Sequence, residues 1–132
     1  MKTILLADDE KNIREFCKQE LEDEGYRLIL ARDGREAIKL VRKEQPDLVI
    51  LDLCMPRLGG LDAIEPIWAI APEVPIILFT ANDEYCMSDG RSRHAVACVE
   101  KSEDLAELKR AIVRAMGAHE ASEPFRLGLP PI

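Results

Sequence analysis

Residues 47–53 read DLVILDL, from Asp47 to Leu53. The stretch is an almost unbroken apolar run, and it is too short for an ordinary helix. A strand with one face in water would alternate apolar and polar side chains. A run like this fits a strand buried on both faces, as in a parallel sheet covered by helices on either side. The sequence around it should then alternate strands with amphipathic helices.

It does so in both directions. Upstream, residues 3–7 read as a first strand. The segment KNIREFCKQELEDEGY then places Ile13, Phe16, Cys17 and Leu21 on one helical face, with Gly25 as the stop. Arg27–Ala31 reads as a second strand. Asp33 is placed to cap a helix carrying Ala37, Ile38, Leu40 and Val41. Downstream, CMPRLGG is a loop by its proline and glycines. LDAIEPIWAI follows as a helix in which Pro66 must occupy the first turn or cause a kink. VPIILFT is a fourth strand, residues 81–94 a weakly periodic helix, and HAVACVE a fifth strand. Ser102 is expected to cap a last helix, with Glu103 and Asp104 in its first turn and Leu105, Leu108, Ile112 and Val113 on its apolar side. Five βα units with right-handed crossovers predict a doubly wound α/β fold: a five-stranded parallel sheet with helices on both faces. The pattern stops after Gly117. The expected organisation is one domain, 1–117, and a mobile tail, 118–132.

Composition removes several function classes. The chain has 132 residues, a length suited to one core, and a formal net charge of -7. That charge argues against nucleic acid as a partner, because such binding needs clustered Lys and Arg. No apolar run approaches the roughly 18 residues of a membrane span. The start MKTILLADDE meets acids too early for a signal peptide, so the expected location is cytoplasmic. Cys17, Cys54, Cys86 and Cys98 form no CxxC, and His94 and His119 fall outside any zinc spacing. The cysteines are expected to be reduced, mostly packing thiols.

The chemistry concentrates where strands end. In open α/β sheets, ligands sit beyond the carboxyl ends of the strands. Strand one runs into Asp8, Asp9 and Glu10, and strand three ends at Asp52. If those strands are neighbours, three carboxylates converge, and like charges need a positive partner. A hard divalent cation with oxygen ligands supplies one. Each acid taken alone could instead cap a helix or face solvent. The ends of strands four and five add Thr80 and Glu100 followed by Lys101, and that convergence favours a site.

On these residues the sequence resembles the receiver domain of two-component response regulators. The resemblance spans about residues 2 to 116 and is carried by DDE at 8–10, LVILDLCMP at 48–56, ILFTA at 77–81 and the lysine of VEKS at 99–102. It implies a flavodoxin-like strand order 2-1-3-4-5. It implies that Asp52 accepts a phosphoryl group from a sensor histidine kinase or a histidine phosphotransfer protein. It implies Mg²⁺ (or Mn²⁺) held by Asp9 directly, by Asp8 through water, and by Asp52 and the backbone carbonyl of Cys54. Thr80 would hydrogen-bond the phosphoryl group and Lys101 would pair with one of its oxygens; at rest, Lys101 would form a salt bridge with Asp52. The implied protein is not an enzyme beyond its own phosphorylation and dephosphorylation. It would signal through contacts with a downstream protein, stand-alone, with a dimer formed on phosphorylation as a further expectation.

Three positions depart from the family pattern. Cys98 stands where an aromatic residue usually completes the switch, Ser102 where a proline usually follows the lysine, and Gly59 where the loop usually has Asp. The acid pocket is untouched by these changes, so the chemistry is expected to be ordinary and the readout unusual. A degenerate receiver acting without phosphate is one alternative. A flavin-binding protein is a poorer one, because Asp8-Asp9-Glu10 would repel a phosphate that arrives without a metal. A phosphatase of the haloacid dehalogenase type would need a second Asp two residues after Asp52, where Cys54 stands.

Overall fold

Leu48–Asp52, the centre of the quoted run, forms a strand in which every residue is buried. The computed structural model describes residues 1–81 and 89–121, the last four as backbone alone. Its elements alternate as β1 (Thr3–Ala7), α1 (Lys11–Asp23), β2 (Arg27–Ala31), α2 (Gly34–Glu44), β3 (Leu48–Asp52), α3 (Gly60–Ile70), β4 (Ile76–Thr80), β5 (Ala97–Glu100) and α4 (Ala106–Ala121). The sheet order is β2-β1-β3-β4-β5, and every pairing is parallel. The doubly wound fold and its strand order are therefore as expected.

Two-sided burial follows from strand pleating, which sends successive side chains to opposite faces. Ile4, Leu6, Ile50, Ile77 and Phe79 join Cys17 and Leu21 of α1 and Leu108 and Ile112 of α4 in one core. Leu5, Val49, Leu51, Ile76 and Leu78 join Ala37 and Val41 of α2 and Ile64 and Ile67 of α3 in the other. The register sets Leu6 opposite Leu30 on one side and Ile50 on the other, so β1 and β3 end level with each other.

Several local expectations hold. Asp33 caps α2 by accepting the Glu36 N–H at 2.9 Å, and Gly25, at φ 98, ends the turn after α1. Others are corrected. α4 begins at Ala106, not at Ser102. The Ser102 hydroxyl donates to the Asp104 carbonyl, and the Asp104 carboxylate receives the Ala106 N–H. Phe16 and Val113, expected on buried faces, are 40% and 62% exposed. They sit at the borders of stripes already filled by Cys17, Leu21, Leu108 and Ile112. Of the two expectations for Pro66, the first-turn position is excluded, because it lies well inside α3. α4 runs through Gly117 to Ala121, because glycine weakens a helix interior by only about 1 kcal/mol relative to alanine. Of the helix expected over 81–94, residues 82–88 lie outside the described ones, and the remainder holds only a 3₁₀ turn, Gly90–Ser92. Residues 122–132, most of the expected tail, also lie outside them. Among the described residues no helix is long and apolar enough to cross a membrane.

Candidate functional site

Because β1 and β3 are adjacent and parallel, their carboxyl ends deliver Asp8, Asp9 and Asp52 to one place. One carboxylate oxygen from each lies within 4.8 Å of the others. Asp8 is fully buried and Asp52 nearly so, while Asp9 is exposed. Asp8 is held from all sides. Its N–H donates to the Ala31 carbonyl at 3.1 Å, and its own carbonyl accepts from the Arg14 guanidinium at 2.8 Å. One carboxylate oxygen takes the Glu10 N–H at 2.9 Å, and the other takes the Lys101 ammonium at 2.7 Å.

Lys101 reaches the acids from the end of β5, where its N–H donates to the Thr80 carbonyl at 2.6 Å. Its ammonium lies 3.5 Å from Asp52, farther than from Asp8. The expected resting pair with Asp52 is thus present, but the shorter bond goes to Asp8. Burial pulls the lysine pKa down. The hydrogen bond to Asp8 and the charges of Asp52 and Asp8 outweigh that pull and leave it raised. The opposite holds at Asp52, where burial and the Asp8 charge push the carboxyl up to about 6 against the pull of Lys101 and the Cys54 N–H. Three carboxylates against one ammonium leave the pocket short of positive charge. An all-oxygen donor set of this kind suits a hard divalent cation.

The site residues expected from the sequence fall together. Thr80 is buried at the end of β4, level with Glu100 in the β4–β5 register and next to the Lys101 amide. Cys54 is exposed on the loop after β3, and its N–H approaches the Asp52 carboxylate at 3.5 Å. Cys98 lies on β5, half-buried against the α2–α3 core. The expectation of reduced, mostly packing thiols is corrected there: Cys17 and Cys54 are free, but Cys98 is disulfide-bonded. Spacing along a chain does not reveal such a bond, because pairing depends on how close the two backbones come in the fold. Sequence reasoning also missed Arg14, which reaches back six residues from the first turn of α1 to the Asp8 carbonyl and carries no motif.

The family model for the response regulator receiver domain matches residues 4–113. The chain belongs to that family. The receiver is 41% identical over 80 residues to response regulator MprA of Mycolicibacterium vanbaalenii, a match covering 61% of this chain and 35% of the relative. MprA of Mycobacterium leprae is 39% identical over a stretch of the same length. The receiver thus spans about a third of the length of the curated relatives it matches. Among solved structures, response regulator TrrA of Thermotoga maritima, in complex with Mg²⁺-BeF, is 43% identical with a TM-score of 0.83 over 87% of this chain and 99% of that one. TrrA has also been solved in complex with the histidine kinase ThkA, where it matches at 42% identity and a TM-score of 0.81, over 88% of this chain and 99% of that one. A CheY-like receiver domain of Methanospirillum hungatei is 26% identical with a TM-score of 0.84, over 91% of this chain and 97% of that one.

Proposed function

We propose that this receiver takes a phosphoryl group onto Asp52 from a phosphohistidine of a sensor kinase or a phosphotransfer protein. The observation that carries the reading is the meeting of Asp52 with Asp8, Asp9 and Lys101 at the ends of three strands. An Asp52 oxygen attacks phosphorus to form an acyl phosphate, and the donor leaves with the electron pair of the broken bond. Catalysis of such transfers is mostly positioning and neutralisation of the equatorial oxygens. The Lys101 ammonium is already within 3.5 Å of Asp52 and needs little movement to reach a new oxygen there. The Thr80 hydroxyl is the expected hydrogen-bond donor on the β4 side.

Asp8, Asp9, Asp52 and the Cys54 carbonyl would hold Mg²⁺ or Mn²⁺, which would supply positive charge to the phosphoryl oxygens. The environments of the two neighbouring acids support different roles. Both carboxylate oxygens of Asp8 are engaged, by the Glu10 N–H and by Lys101, which suits a ligand acting through water. Asp9 is exposed and suits a direct ligand. TrrA, whose structures hold Mg²⁺-BeF and a histidine kinase, lends support by similarity.

The test is incubation with acetyl phosphate, read by intact-mass spectrometry. One phosphoryl group should appear with Mg²⁺, none with a chelator, and none in Asp52→Asn. Persistent labelling of Asp52→Asn would refute the assignment. An unlabelled wild-type chain with Mg²⁺ present would favour a receiver that works without phosphate.

A further inference from the structure

The geometry points to Arg57 as a positioning residue that sets the distance between the two halves of the acid cluster. The inference rests on the pocket reading above. Arg57 touches none of the acids at the cluster. Its backbone sits at φ 68, a left-handed conformation that strains any residue with a Cβ and that glycine adopts freely. The backbone of this loop would therefore be better served by glycine. What arginine adds is its side chain, whose Nε donates to the Asp33 carboxylate at 2.7 Å while Nη2 pairs with the same oxygen.

Asp33 is 5% exposed and already caps α2 through the Glu36 N–H. That amide and Arg57 together hold its carboxyl below the usual range despite burial. Beside this pair, the Gly34 N–H donates to the Leu58 carbonyl at 2.8 Å, so close that a Cβ at Gly34 would collide with Leu58. The loop after β3 is therefore fastened twice to the turn before α2. The same turn grips the other half of the site: Ala31, two residues before Asp33, accepts the Asp8 N–H. Asp8 and Asp9 just beyond β1, and Asp52 and Cys54 at the end of β3 and in the loop after it, thus lean on one short segment, 31–34. The Arg57–Asp33 pair closes that link, three residues beyond Cys54. Groups that orient a metal's ligands without touching the metal govern its affinity in this way.

The test is Mn²⁺ titration of the full chain, with free Mn²⁺ counted by electron paramagnetic resonance and the melting temperature measured alongside. Arg57→Gly should bind Mn²⁺ about tenfold more weakly, the low end of the roughly 10- to 100-fold losses seen when such orienting groups are removed. Its melting temperature should hold or rise, because glycine relieves the strained backbone, so weaker binding would not reflect a weaker fold. Arg57→Lys should fall between, since an ammonium is a point charge without the guanidinium fork. Asp33→Asn keeps a good helix cap, loses the charge that Arg57 holds, and should match Arg57→Gly. Full affinity in Arg57→Gly or Asp33→Asn would overturn the inference while leaving the pocket reading intact. A wild-type chain that binds no Mn²⁺ would overturn both.

Discussion

As the proposed phosphoryl acceptor, Asp52 would meet two opposing demands: it would have to be ionised to attack phosphorus, yet burial and the Asp8 charge push its pKa to about 6. The folded chain therefore holds this proton more tightly than the unfolded chain does. The stability that follows is fully present below the ordinary carboxylate value of 3.8 and is lost as pH rises through about 6. In metal-free protein near neutral pH, Asp52→Asn should raise stability by about 1–3 kcal/mol, since each tenfold difference in proton affinity between folded and unfolded chain is worth about 1.4 kcal/mol. The gain should shrink as pH falls from 7 towards 4. Thermal melts with a chelator across that range check it, and a gain that grows on acidification would contradict it. At this scale the sequence was legible where a residue's place depends on strand position alone, as for Asp8, Asp9, Asp52 and Lys101. It was opaque where the role depends on reach across the fold. Lys101 bonds Asp8 more closely than Asp52, Arg57 finds Asp33 across 24 positions, and Cys98 forms a disulfide, all without any local signal.

Elements were legible in their interiors and less so at their ends. Strands β1 to β4 announced themselves as short apolar runs, and α1 and α2 by periodicity and the Asp33 cap. The start of α4 did not, because Ser102 and Asp104 both carry capping chemistry and the choice between them lies in loop geometry. Of the helix expected over 81–94, the described end, 89–94, is tied to α3 by contacts between elements: Arg91 with Asp62 at 2.8 Å, Arg93 with Glu65 at 3.0 Å, and His94 stacked on Trp68 at 4.0 Å. The helix that receives these contacts contains Pro66, which cannot donate to the Asp62 carbonyl one turn back. Pro66→Ala restores that donor and should stabilise the protein by about 1–3 kcal/mol on the helix-interior scale, read as a higher melting temperature. A lower one would show that Pro66 itself is needed to seat this stretch on α3.

At the scale of the molecule, the sheet order was legible because five buried runs separated by helices leave few right-handed arrangements. The side-chain division into two cores followed from pleating alone. The strand order also carries a kinetic consequence. β1–β2, β3–β4 and β4–β5 each join consecutive strands, whereas β1–β3 bypasses β2 and must close the longest stretch of chain. Until that seam forms, β2-β1 and β3-β4-β5 are separate pieces with open edges. Closing long loops is what slows folding, so the β1–β3 seam should belong to the transition state. Two matched deletions test this. Ile50→Val, at the seam opposite Leu6, and Ile112→Val, in α4, remove the same methyl group from fully buried sites in one core. Each should cost about 0.5–1.5 kcal/mol. In stopped-flow measurements the loss at Ile50 should appear mainly as slower refolding and the loss at Ile112 mainly as faster unfolding. The reverse pattern would place the nucleus on the late helix instead. With the seam as nucleus, the two strands that carry the acids are already side by side in the transition state, and the cluster's negative charge is assembled before α4 has docked.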